Sequence, residues 1–394
     1  MQRGFGYHGR EYYSRSYYYG GRPYAVYYRG YPYGGVYLNA YVPAAYYAPA
    51  FYGWAYNPWV APVPYAWGFA AAPWYGAYGY YFTPYPVYPS AAFWLTDYLI
   101  SQSLAAAYEA NAAAAANAQA AAADAGAAPA AGGQVVMTPE VKQAIAEEVK
   151  RQIALENSES QAGKTGDVDP NSSGLPRMLA EASAANPRIF VVGSPITVTD
   201  DGGQECALSE GDALRLSAPP PADADSVNLQ VFASKNQECS RGANVAVELT
   251  DLQEMQNHMR ANIDKGLQDL QAHQKGLPTP PPSAAAPPTA SAFAAVAPPP
   301  DPNVADDLAK QAKEADSAEQ EVMAEAKQEG GAPAAPAAPA PAAPPAEIAV
   351  GQTVEQVTAA MGNPKQIVKV GTKQIYVYPD LKITFVNGKV SDVQ

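Results

Sequence analysis

Between Gly30 and Thr96 the chain carries no charged residue, and this stretch constrains what can be built more than any other feature. All five tryptophans, Trp54, Trp59, Trp67, Trp74 and Trp94, lie within it, and 26 of the 28 tyrosines precede residue 109, so the ring-rich surface is confined to the first part of the chain. Prolines at 32, 43, 49, 58, 62, 64, 73, 84, 86 and 89 exclude long helices there, because each removes a backbone donor and clashes with the preceding turn. Val36 to Val42 alternates well enough for one strand. The rest of residues 30–96 reads as extended segments whose rings meet each other, a partner or a membrane surface, since Tyr and Trp pair an apolar body with a polar handle. A self-associating low-complexity segment and a specific docking site are both open.

Residues 1–29 set Arg3, Arg10, Arg15, Arg22 and Arg29 among Gly and Tyr. A cation–π sticker or an RNA-binding tail would use such a composition, but the plainest expectation is a disordered leader. Residues 90–156 read as Ala-rich helices. Ser90 caps the first, with Leu95, Leu99, Leu104 and Tyr108 as its stripe, and it runs to about Ala123 through a half with little to bury. Thr138 and Pro139 open the second, with Val141, Ile145, Val149 and Ile153 at i+4 spacing.

In the linker 157–187, Asp167, Asp169 and Asn171 are spaced like the start of a calcium loop. The sixth position lacks glycine and Met178 stands where the bidentate Glu belongs, so no metal is expected. Residues 188–249 form a small β unit with strands at Ile189–Thr199, Ala213–Ser217, Val227–Ser234 and Asn244–Leu249, suggesting an SH3-like barrel. A core of this size is marginal. The only cysteines, Cys206 and Cys239, fall inside it, and a bridge between them would add on the order of 3 kcal/mol. Both belong at strand ends, and the pair favours an oxidising compartment.

Residues 250–275 are an amphipathic helix, opened by a Thr250/Gln253 capping box and striped by Leu252, Met255, Met259, Ile263, Leu267 and Leu270. His258 and His273 lie off the stripe and read as surface residues. A Pro/Ala spacer (277–300), an acidic helix (301–329) and an Ala-Pro spacer (330–346) follow. The last would span on the order of 40–50 Å as polyproline II.

The final 48 residues carry mutually consistent signals. Thr353 and Gln356 make a capping box, Val354, Val357 and Met361 one stripe, and Gly362 and Pro364 a stop. Strand candidates follow at Ile367–Val370, Lys373–Tyr378, Leu381–Phe385 and Lys389–Val393, the last two joined by Asn387-Gly388, a hairpin signal. The string GQTVEQVTAAMGNP with ITFVNGKV resembles the SmpA/OmlA (BamE-like) domain, with Gly351, Thr353, Val357, Gly362, Pro364, Tyr376, Phe385 and Gly388 on its pattern. The resemblance covers 347–394 and implies a small envelope module that binds other proteins, often beside outer-membrane β-barrel assembly. The family's lipid-accepting cysteine is absent. Tyr65-Ala66-Trp67-Gly68-Phe69 resembles the YXWGXW repeats of secreted bacterial proteins, without the last Trp.

The expected fold class is therefore multi-segment and largely low-complexity: a small all-β SH3-like unit and a C-terminal α+β helix-and-meander module, joined by helices and Pro/Ala spacers. Net charge is −13, and all the excess acid lies in 109–346, the segments on either side being net positive, which argues against nucleic acid as a partner. His8, His258 and His273 sit far from any nucleophile signature, and no phosphate loop or zinc spacing occurs, so neither an enzyme nor a cofactor is expected. The leading expectation is a non-enzymatic adaptor of the cell envelope, periplasmic or outer-membrane-associated, binding envelope proteins through a face including Lys365, Tyr376 and Tyr378. It expects a leader upstream of Met1. A secreted hydrolase inhibitor and a cytoplasmic Arg/Tyr-rich self-associating protein are the alternatives.

Overall fold

Paired residues of positive φ set the first sheet. His8-Gly9 (48° and 72°) and Gly34-Gly35 (57° and 77°) adopt the left-handed backbone that two-residue hairpins need. They join β1 (Gln2–Tyr7) to β2 (Arg10–Tyr19) and β3 (Arg22–Tyr33) to β4 (Val36–Val42). The four form an antiparallel meander in sequence order. The expectation of a disordered leader is corrected: His8-Gly9 is a hairpin turn, and the tyrosines that follow it are strand formers in β2 and β3. The computed structural model describes residues 2–19, 22–121, 137–162, 169–221, 224–235, 239–272, 276–307, isolated positions from 309 to 317, Val357, and strand residues 366–370, 373–377, 382–386 and 389–393. They fall into two units, Met1–Ala324 and Glu325–Gln394.

In the first unit, β5 (Ala45–Tyr46) precedes two short helices that begin at prolines, α1 (Pro49–Tyr56) and α2 (Pro73–Tyr78). Long helices α3 (Ala91–Ala121) and α4 (Pro139–Ala162) follow near the predicted limits, with Leu95, Leu99, Leu104, Val141, Ile145, Val149 and Ile153 all buried. The uncharged stretch is neither a free sticker nor a lipid surface along its inner rings. Phe51, Tyr52, Tyr81, Phe82, Tyr88 and Trp94 share one core with α3, α4 and the later Met259, Ile263 and Leu267. Trp67 stacks on Trp94 at 5.0 Å and donates to the Tyr88 hydroxyl at 2.6 Å.

Two short helices, α5 (Pro170–Ser173) and α6 (Leu175–Ala180), lead into the middle sheet. Asp169 caps α5, accepting from the Asn171 amide at 3.1 Å, which is a structural use of the would-be calcium spacing. The sheet comprises β6 (Arg188–Val191), β7 (Ile196–Asp200), β8 (Glu205–Leu208), β9 (Ala213–Leu216), β10 (Ser226–Ala233) and β11 (Asn244–Glu248), in the order β6-β9-β10-β11-β7-β8. The single strand expected over 189–199 breaks at Gly193-Ser194-Pro195, and β8 was not foreseen. Cys206 on β8 is bonded to Cys239, between β10 and β11. The sheet is no free-standing small core. Ile189, Val191 and Ala213 join the aromatic core, while Phe190, Val192 and Leu214 join a second core with Tyr31, Leu38, Leu175 and Leu249. Covering on both faces explains why β6 is buried at every residue.

Helix α7 (Leu249–Ala272) buries its whole predicted stripe. It starts at Leu249, one residue before the proposed cap, so Thr250 lies inside the helix and Gln253 instead accepts the Tyr31 hydroxyl at 2.6 Å. Gly266 sits where an added Cβ would lie 2.4 Å from Leu95, allowing α7 its close approach to α3. The 277–300 segment is not a spacer. Its β12 (Thr289–Ala290) pairs with β5, and Phe293 is buried against Tyr12, with ring centroids 5.1 Å apart. One aromatic ring and one extended dipeptide suffice to dock an otherwise Pro/Ala chain.

In the second unit β13 (Gln366–Val370), β14 (Lys373–Val377), β15 (Lys382–Val386) and β16 (Lys389–Val393) form an antiparallel meander in sequence order. Val357 is helical and, like Ile383, fully buried.

Candidate binding cavity

The polar side of α7 builds the site. Its apolar stripe faces the cores, yet Gln253, Asn257 and Arg260 are also buried, because the N-terminal meander lies over them. Asn257 accepts from the Tyr41 amide at 2.7 Å and donates to the Asn39 carbonyl at 2.8 Å, fixing β4 along the helix. Two turns of α4 bring Glu156 and Glu159 to the same place. Arg260 donates to Glu159 at 2.5 Å and to the Tyr41 carbonyl at 3.2 Å. The Tyr41 hydroxyl donates to Asp264.

Three carboxyl groups thus meet one guanidinium out of water. Burial disfavours the Arg260 charge, but Glu159 and Glu156 more than offset this and raise its pKa. Burial also lifts Glu156 well above the ordinary range, with Asp264 repelling its charge, and pushes Asp264 to about 6. Neither Glu156 oxygen, nor Asp264 Oδ1, accepts from a donor among the described residues. The Asp264 charge bears on Glu156, and two neighbouring carboxyls out of water favour keeping one proton between them.

Next to this cluster lies a cavity of about 530 Å³. Tyr7, Tyr12, Tyr41, Tyr46, Tyr47 and Phe293 supply its rings, and Glu159, Arg260 and Arg29 its charges. Residues 289–293 form one wall, so the segment expected to be a spacer completes the site. A mostly apolar enclosure with a few placed polar groups is what a small-molecule site requires.

A carboxyl raised by folding holds a proton that the unfolded chain releases between the ordinary 3.8 and about 6 for Asp264. Its contribution is present below pH 3.8 and lost as pH rises through 6. Glu156→Gln removes one of the two competing charges. It is expected to stabilise the protein by on the order of 1–2 kcal/mol at pH 8 and to change little at pH 4, flattening the profile. Urea unfolding at both pH values measures this; parallel profiles for the two proteins would refute the shared proton.

Of the other residues singled out from sequence, Cys206 and Cys239 are joined. Lys365 and Tyr378 lie outside the described residues, as do Gly351, Thr353, Gly362, Pro364, Gly388 and His273. Tyr376 pairs in register with Ile367 and with the buried Ile383, and Phe385 with Gln374 and Val390. His258 is not the surface residue expected. It is partly buried, with Nε2 3.1 Å from Ser103 Oγ and 3.0 Å from the Asn262 amide, and burial pushes its pKa down to about 4. Arg260, Glu156 and Asp264 were missed from sequence, although a helix face rich in amides beside its charges was a visible sign. Among the described residues no cluster of His, Cys, Asp and Glu could hold a metal ion, and no helix is long and apolar enough to cross a membrane. Compared with family models, curated proteins and solved structures, the chain matches none.

Proposed function

We propose that the protein is a non-enzymatic binding adaptor of the cell envelope, which holds a small apolar ligand in its first unit and presents a protein-docking head in its second. The aromatic cavity above Arg260 and Glu159 carries this reading. The Cys206–Cys239 bond supports a non-reducing compartment, which favours the envelope over the cytoplasmic self-associating alternative. The paired uses of Arg3 with Asp301 and of Arg15 with Glu254 also weigh against free Arg/Tyr stickers. For the head, the SmpA/OmlA resemblance and the four-stranded meander support docking of envelope proteins, with Lys365, Tyr376 and Tyr378 as the proposed face. We read the middle sheet as an SH3-like scaffold, supported by the β7–β8 hairpin beside the β9-β10-β11 meander.

The cavity is tested with N-phenyl-1-naphthylamine, a neutral apolar fluorophore, titrated into the full chain. Saturable one-to-one binding is expected. Ala292→Trp, at an exposed position on the cavity wall, should weaken it by about tenfold or more by filling the space. Absence of saturable binding, or indifference to A292W, would remove the cavity from the function.

A further inference from the structure

A second cavity, of about 360 Å³, is lined by three arginines, Arg151 of α4, Arg177 of α6 and Arg188 of β6, with Glu181 as its one acid. Arg151 Nη1 reaches Glu148 at 2.8 Å and Arg188 Nη2 reaches it at 3.2 Å, Glu148 being fully buried. Arg177 Nε donates to Glu181 at 2.6 Å, while Arg188 Nη1 stands 3.8 Å from its other oxygen. Arg151 Nη2 also donates to Asn186 at 2.7 Å. Three guanidiniums therefore face two carboxylates, and one positive charge is left over.

The surplus is felt most at Arg188. The residue is 6% exposed, and its Nε–H has no acceptor among the described residues. Burial lowers its pKa, and the charges of Arg151 and Arg177 act in the same direction, against Glu148 and Glu181. A buried donor without a partner is costly, and a guanidinium fork is suited to carboxylate or phosphate. Ser173 lines both this cavity and the aromatic one.

We propose that this cavity binds an oxyanion, a phosphate or carboxylate group, either as a free ion or as the head of an amphiphile whose apolar part enters the aromatic cavity. The free-ion form stands independently of the aromatic cavity. The test is calorimetric titration of the full chain with inorganic phosphate, and with acetate as the carboxylate probe, at constant ionic strength against chloride. Saturable binding of at least one is expected. Arg177→Ala, at an exposed position, should weaken it about tenfold with an unchanged circular dichroism spectrum. Glu181→Gln should tighten it about threefold by removing a competing charge, which a merely structural role would not produce. Dodecyl phosphate below its micellar concentration separates the sources. Binding much tighter than phosphate, and weakened by both R177A and A292W, assigns an amphiphile; binding equal to phosphate assigns the free ion. Heats for phosphate and acetate indistinguishable from chloride, or unchanged affinity in R177A, would overturn the proposal.

Discussion

Asp97→Ala is expected to destabilise the protein by about 4 kcal/mol, the largest effect of any single substitution considered for this fold. Asp97 is the first charge after Arg29 and is completely buried among the rings. Its partner is the ammonium of Lys142, 2.9 Å away and itself buried. It also accepts from the Tyr85 amide at 2.5 Å and the Tyr88 hydroxyl at 2.6 Å. Lys142 in turn donates to the Thr83 carbonyl at 2.7 Å and lies 3.7 Å from the centroid of Tyr85. Burial raises the Asp97 pKa and lowers that of Lys142, with each partner's charge opposing the shift. Alanine would strand the ammonium and leave two donors without their acceptor. Adding Lys142→Met should recover about half of the loss, because the stranded charge disappears while the Tyr85 and Tyr88 donors stay unpaired. Chemical denaturation of both single variants and the double variant decides this. A cost below about 1 kcal/mol for D97A would mean that water reaches the pair, and that the aromatic layer is not the dry core described.

Loss of the Cys206–Cys239 bond is expected to cost on the order of 3 kcal/mol. The bond closes a 33-residue separation and ties edge strand β8 to the turn before β11. Removing it frees that edge in the unfolded ensemble and in the native sheet alike. Cys206→Ser/Cys239→Ser, and wild-type protein in dithiothreitol, should show the same lowered denaturation midpoint. The oxidised chain should also run faster on non-reducing than on reducing gels. Two freely reactive thiols in protein isolated natively from cells would contradict the bond and, with it, the oxidising compartment.

Long helices were legible because their stripes are regular. Val141, Ile145, Val149 and Ile153 needed only i+4 spacing, and all four are buried. Much of the rest depended on neighbours that a local pattern cannot name. The first sheet was hidden by a Gly/Arg/Tyr composition shared with disordered tails, although Gly20-Gly21 and Gly34-Gly35 bound a strand-length run. On α7, period identified the apolar stripe but not the burial of Gln253, Asn257 and Arg260, which arises where β3, β4 and α4 cover them. The cavity was illegible for the same reason. Its rings come from residues 7–47 and from Phe293, its charges from β3, α4 and α7, and its last wall from residues 289–293.

That last wall has a consequence for how the protein is made. Ser291 donates to the Pro43 carbonyl across 248 positions of sequence, and Asp301 accepts Arg3 across 298. At ordinary ribosomal speeds the early strands wait on the order of tens of seconds for the segment that seals them. Throughout that interval an unusually ring-rich nascent chain has unsealed apolar surface. Synthesis rate and chaperone occupancy should therefore govern yield more strongly than the final stability does.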